Sequence, residues 1–278
     1  MAGVHTLPEL MVAILVAMLA VMAAAWAWQA LVRDTGWVDV FWTFGTGAAG
    51  AIAALWPLES WEQPTPRQWL VAAMAVLWSL RLGGYIALRV AGSHVEDARY
   101  KALREQWGRT YNARLFGFVL IQAPVSAILA LAIALAARAP ETGFGLRDII
   151  AVAIWLAAVG GESLADGQMK RFKADPANKG GICDRGLWAW SRHPNYFFEW
   201  LLWLPYPAIA LEPSQPVTWL SLGAPLVMFL ILRFATGVPP LERSMLASRG
   251  DAFRAYQART SAFFLLPPRR APLPQTGA

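Results

Sequence analysis

The chain has 278 residues, of which 57% are hydrophobic and 15% are charged, and its formal net charge is +6. Soluble domains are about 45–50% apolar and about 25% charged, so this composition excludes an ordinary soluble domain and indicates several membrane spans. The single cysteine, Cys183, excludes an intramolecular disulfide. No metal-ligand spacing surrounds it, so an inert thiol is expected and no metal is predicted.

Seven nearly uncharged runs follow one another along the chain, each close to the length of about 20 residues that a spanning helix needs. They are residues 10–32, 37–56, 68–89, 115–137, 146–166, 194–211 and 216–236. We therefore predict an all-α integral membrane bundle of about seven transmembrane helices, forming a single domain over residues 1–266. The Pro-rich end, residues 267–278, predicts a disordered tail.

Basic residues are distributed unevenly among the predicted loops. After the second and fourth spans there are only Arg67, Arg138 and Arg147, whereas most others lie in residues 89–114, residues 170–192 and the tail after Arg233. The positive-inside rule then places the N-terminus outside and the C-terminus in the cytoplasm. The net charge reflects this topology and contact with membrane lipids, and no nucleic-acid partner is expected.

Polar side chains concentrate on the predicted cytoplasmic side. Residues 96–104 predict a short amphipathic helix along the membrane surface. Further on, Glu162, Asp166, Lys170 and Lys173 share one face of a helix, at i, i+4, i+8 and i+11. Paired carboxylates followed by cations could hold a ribose and a phosphate, and an ordinary helix end with snorkelling lysines fits the spacing equally well.

A third stretch, residues 178–199, combines flexible backbone with a dense set of polar groups. Gly180 and Gly181 beside cations favour close approach to phosphates, while the absence of a Walker or GxGxxG pattern excludes a Rossmann site. Ionisable groups at a membrane boundary usually mark a site. The polar residues of this stretch are Asn178, Lys179, Arg192, His193, Asn195, Tyr196 and Glu199. Arg233, where a later helix leaves the membrane, is interpreted either as a ligand contact or as a snorkelling side chain.

Several of these segments resemble a known family. Residues 173–180, 186–188 and 191–199, with the earlier segments 81–83 and 96–100, are similar to the bacterial family of uncharacterised proteins related to steroid 5-alpha-reductase. The similarity extends from about Asp39 to Pro267. It implies a bacterial cytoplasmic (inner) membrane protein that binds NADPH on its cytoplasmic side. It also implies reduction of a carbon–carbon double bond in a lipophilic, steroid-like or enone substrate.

The resemblance also implies site residues. Those expected to bind the cofactor are Glu162, Asp166, Lys170, Lys173, Asn178, Lys179, Arg192, His193, Asn195, Tyr196, Glu199 and Arg233. The steroid reductases carry a Gln-Glu pair on the second span and a catalytic Tyr on the third, and this chain lacks all three. Here Trp78 is near the Tyr position, so Tyr85 and Asp39 are the candidate catalytic proton donors. A carboxylic acid would need a pKa raised by burial to donate at neutral pH.

Two other functions stay open. S-adenosylmethionine-dependent membrane methyltransferases of the isoprenylcysteine and phospholipid type also carry an Arg-His-Pro-x-Tyr element, found here as residues 192–196. That element is followed by an acidic residue, here Glu242, where those enzymes typically show a Glu-Glu pair. The missing Gln-Glu-Tyr set is also compatible with a non-catalytic lipid-binding membrane protein. The sequence specifies neither the substrate nor the oligomeric state.

Overall fold

The computed structural model describes residues 6–58, 63–92, 98–140 and 143–269. Within these ranges the chain forms α-helices and no β-strand. The helices are α1 (Leu7–Val32), α2 (Trp37–Leu55), α3 (Pro66–Ala91), α4 (Ala98–Trp107), α5 (Tyr111–Leu120), α6 (Gln122–Ala137), α7 (Leu146–Ala174), α8 (Leu187–Trp190), α9 (Pro194–Leu201), α10 (Pro205–Ala210), α11 (Gly223–Leu230) and α12 (Val238–Arg259). Three 3₁₀ segments, at Gly108–Thr110, Pro176–Asn178 and Pro216–Leu222, and a π-helical turn at Ile231–Ala235 lie between them.

Six helical stretches in the described part of the chain are long and apolar enough to cross a membrane. They are Leu7–Val32, Trp37–Leu55, Pro66–Ala91, Leu103–Ala137, Leu146–Ala174 and Pro216–Arg259. Each overlaps one of the predicted spans, so the prediction of an all-α integral membrane bundle is confirmed. The predicted amphipathic helix corresponds to α4, although Glu96 and Asp97 lie outside the described residues, as do residues 270–278 of the predicted tail.

The predicted span at residues 194–211 is not one continuous helix. It consists of α9, with eight residues, and α10, with six, separated by Leu202–Leu204. Pro205 and Pro207 have no N–H group to donate into a preceding helical turn, so they end α9 and begin a new helix. The apolar composition of this region was visible in the sequence, and the break follows from its prolines.

Local sequence signals fix where the long helices begin. Thr6 and Glu9 form a capping box before α1: the Thr6 side chain accepts from the Glu9 N–H, and the Glu9 carboxylate accepts from the Thr6 N–H. Thr65 and Gln68 form the equivalent pair before α3. Both arrangements satisfy backbone donors that would otherwise be left free at a helix start. Arg33, in a left-handed conformation with φ 57°, ends α1.

The chain divides into two compact units. The first comprises Met1–Val152 with Leu204–Val227, and the second comprises Ala153–Trp203 with Met228–Ala278. Each unit therefore draws on two separate stretches of the sequence. The single domain predicted for residues 1–266 stays a prediction.

In the first unit α2 contacts α1, α3 and α6. Small residues allow this close packing: a Cβ on Gly47 would lie 2.2 Å from the Cβ of Ser79 on α3. The Thr46 and Ser126 hydroxyls form a buried hydrogen bond of 2.8 Å between α2 and α6. Close backbone approach and buried hydroxyl pairs are typical of helix packing in membranes, where lipid is as apolar as the helix surface.

The second unit contains most of α7, then α8, α9, the π-helical turn and α12. A Cβ on Gly161 of α7 would lie 2.2 Å from the Phe198 ring, so α9 packs directly against α7 at this glycine. Phe197, Trp200, Phe229, Phe263 and Phe264 form a cluster of edge-on and tilted aromatic contacts. Such contacts add to the free energy gained by burying the rings.

Candidate functional site

The segment that carries the Arg-His-Pro element is fastened to α7. The backbone N–H of Leu187 donates to Gln168 Oε1 at 3.0 Å, and the indole Nε1 of Trp188 donates to the carbonyl oxygen of Ala165 at 3.0 Å. Gly186, with φ 60°, starts this segment, and a Cβ there would lie 2.6 Å from the Gln168 side chain. The turn before α8 therefore requires glycine for both its backbone angle and its space.

A C-terminal strap, Thr260–Leu266, lies along the other side of the same segment. The N–H of Arg192 donates to the carbonyl of Ser261 at 2.8 Å, and the Ser191 hydroxyl donates to the carbonyl of Phe263 at 2.8 Å. The N–H of Leu266 donates to the carbonyl of Trp190 at 3.1 Å. Phe263, 1% exposed, anchors the strap. Residues 187–192 are thus hydrogen-bonded to α7 at one end and to the strap at the other.

Arg192 connects this segment to two parts of α12. Its Nε and Nη2 donate to the two carboxylate oxygens of Glu242, at 2.7 and 3.1 Å. Its Nη1 donates to the carbonyls of Gln257, at 3.2 Å, and Thr260. Four of the five N–H groups that a guanidinium carries are therefore engaged within the protein. Bidentate arginine–carboxylate pairs of this kind are strong and directional.

His193 shares the same carboxylate. Its Nε2 lies 3.2 Å from Glu242 Oε1, and its ring stacks on Tyr196 with centroids 5.6 Å apart. Burial lowers the pKa of His193 from its ordinary value, and the neighbouring Glu242 acts in the opposite direction. Gln257 completes the group by donating to Glu242 Oε2 at 2.8 Å. Glu242 is therefore the centre of a network joining α12 to the start of α9.

Three carboxylates are buried in the second unit. Glu162 and Asp166 lie one turn apart on α7 and are 3% and 8% exposed, and Glu199 on α9 is 6% exposed. Glu199 Oε1 accepts from the Trp203 indole at 3.2 Å. Ionised groups are rarely buried in a membrane protein unless they serve a site or a partner. Along the same face of α7, Lys170 and Lys173 are exposed, so the helix passes from buried acids to exposed cations.

The loop after α7 is partly ordered by its own contacts. The Asn178 amide donates to the carbonyl of Phe172 at 3.1 Å, and Arg249 donates to the carbonyl of Gly181 at 3.1 Å. Lys179 is exposed. Cys183 is buried, and burial raises the pKa of its thiol, which fits the expected inert cysteine. No group of three or more His, Cys, Asp or Glu residues in the described ranges is placed to hold a metal ion.

Arg233 lies in the π-helical turn between α11 and α12. Its guanidinium sits 5.0 Å from the centre of the Phe234 ring, a cation–π distance. Single π-helical turns occur mostly inside longer helices and frequently at functional sites. Asn195 and Tyr196, in the first turn of α9, are both half-buried.

The two candidate proton donors belong to the first unit, whereas all twelve candidate cofactor residues belong to the second. Asp39 Oδ1 accepts from the hydroxyl of Tyr100 at 3.0 Å, and the Arg81 guanidinium lies 5.7 Å from the centre of the Tyr85 ring. The Asp39–Tyr100 hydrogen bond spans 61 positions of sequence. Sequence patterns could not reveal it, because the two residues lie on separate helices and meet only through tertiary packing.

Comparison with known proteins gives the family. Residues 25–260 match the family described as "Protein of unknown function (DUF1295)". This chain belongs to the DUF1295 family. Among curated proteins, the DUF1295 chain is 26% identical over 263 residues to the uncharacterized protein C594.04c of Schizosaccharomyces pombe (strain 972 / ATCC 24843), covering 86% of this chain and 75% of the relative. No solved structure matches it.

Glu242 and Gln257 are the members of this hydrogen-bonded network that the predicted cofactor set omitted. Glu242 lies 50 positions after Arg192, and Gln257 lies 65 positions after it. Glu242 follows two prolines at the start of α12 and did stand out as the acidic residue of the methyltransferase alternative. Gln257 is half-buried on α12, and no local signal in the sequence distinguishes it.

Proposed function

We propose that this DUF1295 protein is a membrane-embedded, NADPH-dependent reductase of a carbon–carbon double bond in a lipophilic substrate. The observation that carries the proposal is the α7 face, on which buried Glu162 and Asp166 are followed by exposed Lys170 and Lys173. A dinucleotide presents ribose hydroxyls, which donate hydrogen bonds, and phosphates, which attract cations. The buried carboxylates of this face can accept hydrogen bonds from the ribose hydroxyls, and the exposed lysines at its end can attract the phosphates.

NADPH is implied by the resemblance to the steroid 5-alpha-reductases. The polar side chains of the second unit include both acceptors for its hydroxyls and cations for its phosphates. Glu162 and Asp166 would accept from ribose hydroxyls, and Lys170, Lys173 and Lys179 would contact phosphates. Asn195, Tyr196, Glu199 and Arg233 are the remaining candidates for contact. When bound, NADPH would supply the hydride that reduces the β carbon of an activated alkene.

Arg192 and His193 have a different part in this proposal. Arg192 already makes two hydrogen bonds to Glu242 and two to backbone carbonyls. It therefore holds the start of α9 in place and does not have two N–H groups available for a phosphate. We therefore assign Arg192 and His193 as positioning residues for Asn195 and Tyr196. Rigid support of this kind keeps binding groups in their productive geometry.

Reduction of the alkene also requires a proton at the α carbon. Tyr85 and Asp39 are the candidates, and Tyr100 joins them because its hydroxyl donates to Asp39. The Tyr100 hydroxyl would give its proton to the α carbon, and a proton from water would then restore the phenol. The product would be the saturated compound, with one hydride and one proton added across the double bond.

One observation favours a second candidate, an S-adenosylmethionine-dependent membrane methyltransferase. Glu242 binds both Arg192 and His193, so the acidic residue after the last span is joined directly to the Arg-His-Pro-x-Tyr element. The same element carries the resemblance to the isoprenylcysteine and phospholipid enzymes. We rank this second because the exposed lysines after Asp166 suit a phosphate-bearing cofactor better.

Binding of NADPH, NADH and S-adenosylmethionine to detergent-purified protein tests both candidates. We expect NADPH to bind most tightly and Asp166→Asn to weaken it about tenfold, the effect of losing one charge-assisted hydrogen bond. Arg254→Ala is the matched control, because this exposed side chain pairs only with exposed Asp251 on the far part of α12. Binding of S-adenosylmethionine alone would contradict the reductase, and binding of neither would favour a non-catalytic lipid-binding protein.

A further inference from the structure

The first unit contains a cavity that the proposed reductase does not use. Its volume is about 540 Å³, within the range of ligand cavities. It opens at the end of the unit where α1 begins and α6 ends. Its walls combine apolar side chains with one cation and one amide, and they include Leu7, Leu58, Leu135, Arg138, Gln215 and Val217.

Arg138 is held at this cavity by backbone groups. Its Nη1 donates to the carbonyls of Ala53, at 2.7 Å, and Ala134, at 3.0 Å, and its Nη2 donates to the carbonyl of Trp56 at 2.7 Å. These bonds leave the Nε–H and the second Nη2 proton without a partner in the described part of the chain. That edge of a guanidinium is the one that binds a carboxylate or phosphate through two parallel hydrogen bonds.

The charge of Arg138 has no counter-ion among the described residues. Burial lowers its pKa from the ordinary value, and no carboxylate in the described part of the chain acts against this change. Arg67, in the same unit, shows the usual arrangement: it is 5% exposed and forms a bidentate pair with Asp148, with both N···O distances 2.8 Å. A partly buried cation is unfavourable unless an anion compensates it. Among the described residues, Arg138 therefore lacks the compensating carboxylate that Arg67 has.

We propose that this cavity binds the head group of an anionic membrane phospholipid, with its phosphate on the free edge of Arg138. The Gln215 side-chain amide, which has no partner in the described ranges, would donate to a second oxygen. The apolar walls formed by Leu7, Leu58 and Val217 suit the first carbons of the acyl chains. The cavity lies at the ends of spanning helices, where head groups reside. On the predicted topology, this is the non-cytoplasmic leaflet.

The test measures binding of a fluorescent phosphatidylglycerol to the detergent-purified full-length protein. Unlabelled phosphatidylglycerol should compete, and phosphatidylcholine should compete about tenfold less well, because it lacks the net negative charge. Arg138→Gln should abolish this preference. Arg147→Gln is the matched control, since Arg147 lies in the same unit, is 41% exposed and pairs with Glu212 at 3.6 Å. It should leave the preference unchanged.

A second variant separates loss of the site from loss of folding. Val217→Trp fills the cavity and leaves Arg138 and its backbone contacts in place, and we expect it to weaken phosphatidylglycerol binding about tenfold as well. Parent-like binding by a folded Val217→Trp or Arg138→Gln protein would overturn the proposal. So would equal competition by inorganic phosphate or by oleate, since either would assign the site to a different anion.

Three acidic residues lie outside the described residues and follow cavity-lining residues closely in sequence: Glu59, Glu62 and Glu141. If one of them is the counter-ion of Arg138, changing all three to Gln would leave Arg138 without an anion, so phosphatidylglycerol nanodiscs would raise the thermal midpoint of the triple variant but not that of the parent, relative to phosphatidylcholine nanodiscs. That result would overturn the proposal. We expect instead that phosphatidylglycerol stabilises this triple variant as much as it stabilises the parent. Nucleotide binding by the second unit is a separate measurement, so this proposal and the reductase can fail independently.

Discussion

Glu242, which was not among the predicted cofactor residues, contacts three polar side chains. Arg192, His193 and Gln257 all converge on its two carboxylate oxygens, within 2.7–3.2 Å. Arg192 and Glu242 are 10% and 14% exposed, so the pair is well shielded from water. At this depth, removing one partner leaves the other charge uncompensated, and the loss is much larger than for a surface pair.

We therefore predict that Arg192→Ala lowers the free energy of unfolding by about 3 kcal/mol. The measurement is urea unfolding in a fixed detergent. Arg254→Ala removes a surface pair whose side chains are 71% and 93% exposed, and it should change the free energy of unfolding by less than about 0.5 kcal/mol. Equal effects of the two substitutions would show that the Arg192–Glu242 pair does not stabilise the second unit.

The burial of His193 leads us to expect that the stability of the protein depends on pH. Because burial lowers its pKa in the folded protein below the ordinary 6.5, the unfolded chain binds the proton first as the pH falls. Stability is therefore highest above the unfolded pKa and decreases as the pH drops from about 7 toward the folded pKa. Thermal midpoints between about pH 8 and 5.5 should show this decrease in the parent, and His193→Gln should flatten it. His193 would not be the titrating group if the variant showed the same slope.

At the scale of helices, the contact between α7 and α9 depends on one glycine. Gly161 faces the Phe198 ring, whereas Gly160, one position earlier, has nothing within 4 Å of an added Cβ. Gly161→Ala should lower the free energy of unfolding by about 2 kcal/mol, because the ring or the helix must move. Gly160→Ala should raise it by about 0.5–1 kcal/mol through helix propensity. Thermal unfolding of the two variants checks the difference, and opposite signs are the expected result.

The long helices were predictable because each carries its own signals. Apolar length defined α1, α2, α3 and α7, and capping residues at Thr6 and Thr65 set two of the starts. Pro205 and Pro207 also indicated the break between α9 and α10, but the predicted span at residues 194–211 was based on apolar composition alone. A proline pair inside an apolar run indicates a helix boundary even where the run is long enough to cross a membrane.

The site was predictable only in part, for a physical reason. The clustering of Arg192, His193 and Tyr196 is local in sequence, so a motif could reveal it. The partners Glu242 and Gln257, and the strap beginning at Thr260, meet Arg192 only after the chain has returned through another helix. Side-chain pairing over such separations depends on tertiary packing, and periodicity contains no information about it. The sequence therefore indicated which polar residues cluster locally, without distinguishing a ligand contact from an internal hydrogen-bonded pair.

For the whole molecule, the break in the predicted sixth span leads to a topology test. Six long apolar stretches are present among the described residues, and α9 with α10 adds a shorter apolar segment. The basic-residue bias predicts the N-terminus outside and the C-terminus in the cytoplasm, which requires an odd number of crossings. Reporter fusions at each end should therefore give opposite sides of the membrane. Both ends on one side would mean that the α9–α10 region does not cross.

The proposed function requires that α7 and the start of α9 hold a nicotinamide dinucleotide. The measurement is the dissociation constant of NADPH, compared with that of S-adenosylmethionine, for the detergent-purified protein. On this proposal, NADPH binds more tightly, and Asp166→Asn weakens its binding about tenfold. Tighter binding of S-adenosylmethionine, or NADPH binding that Asp166→Asn leaves unchanged, would contradict it.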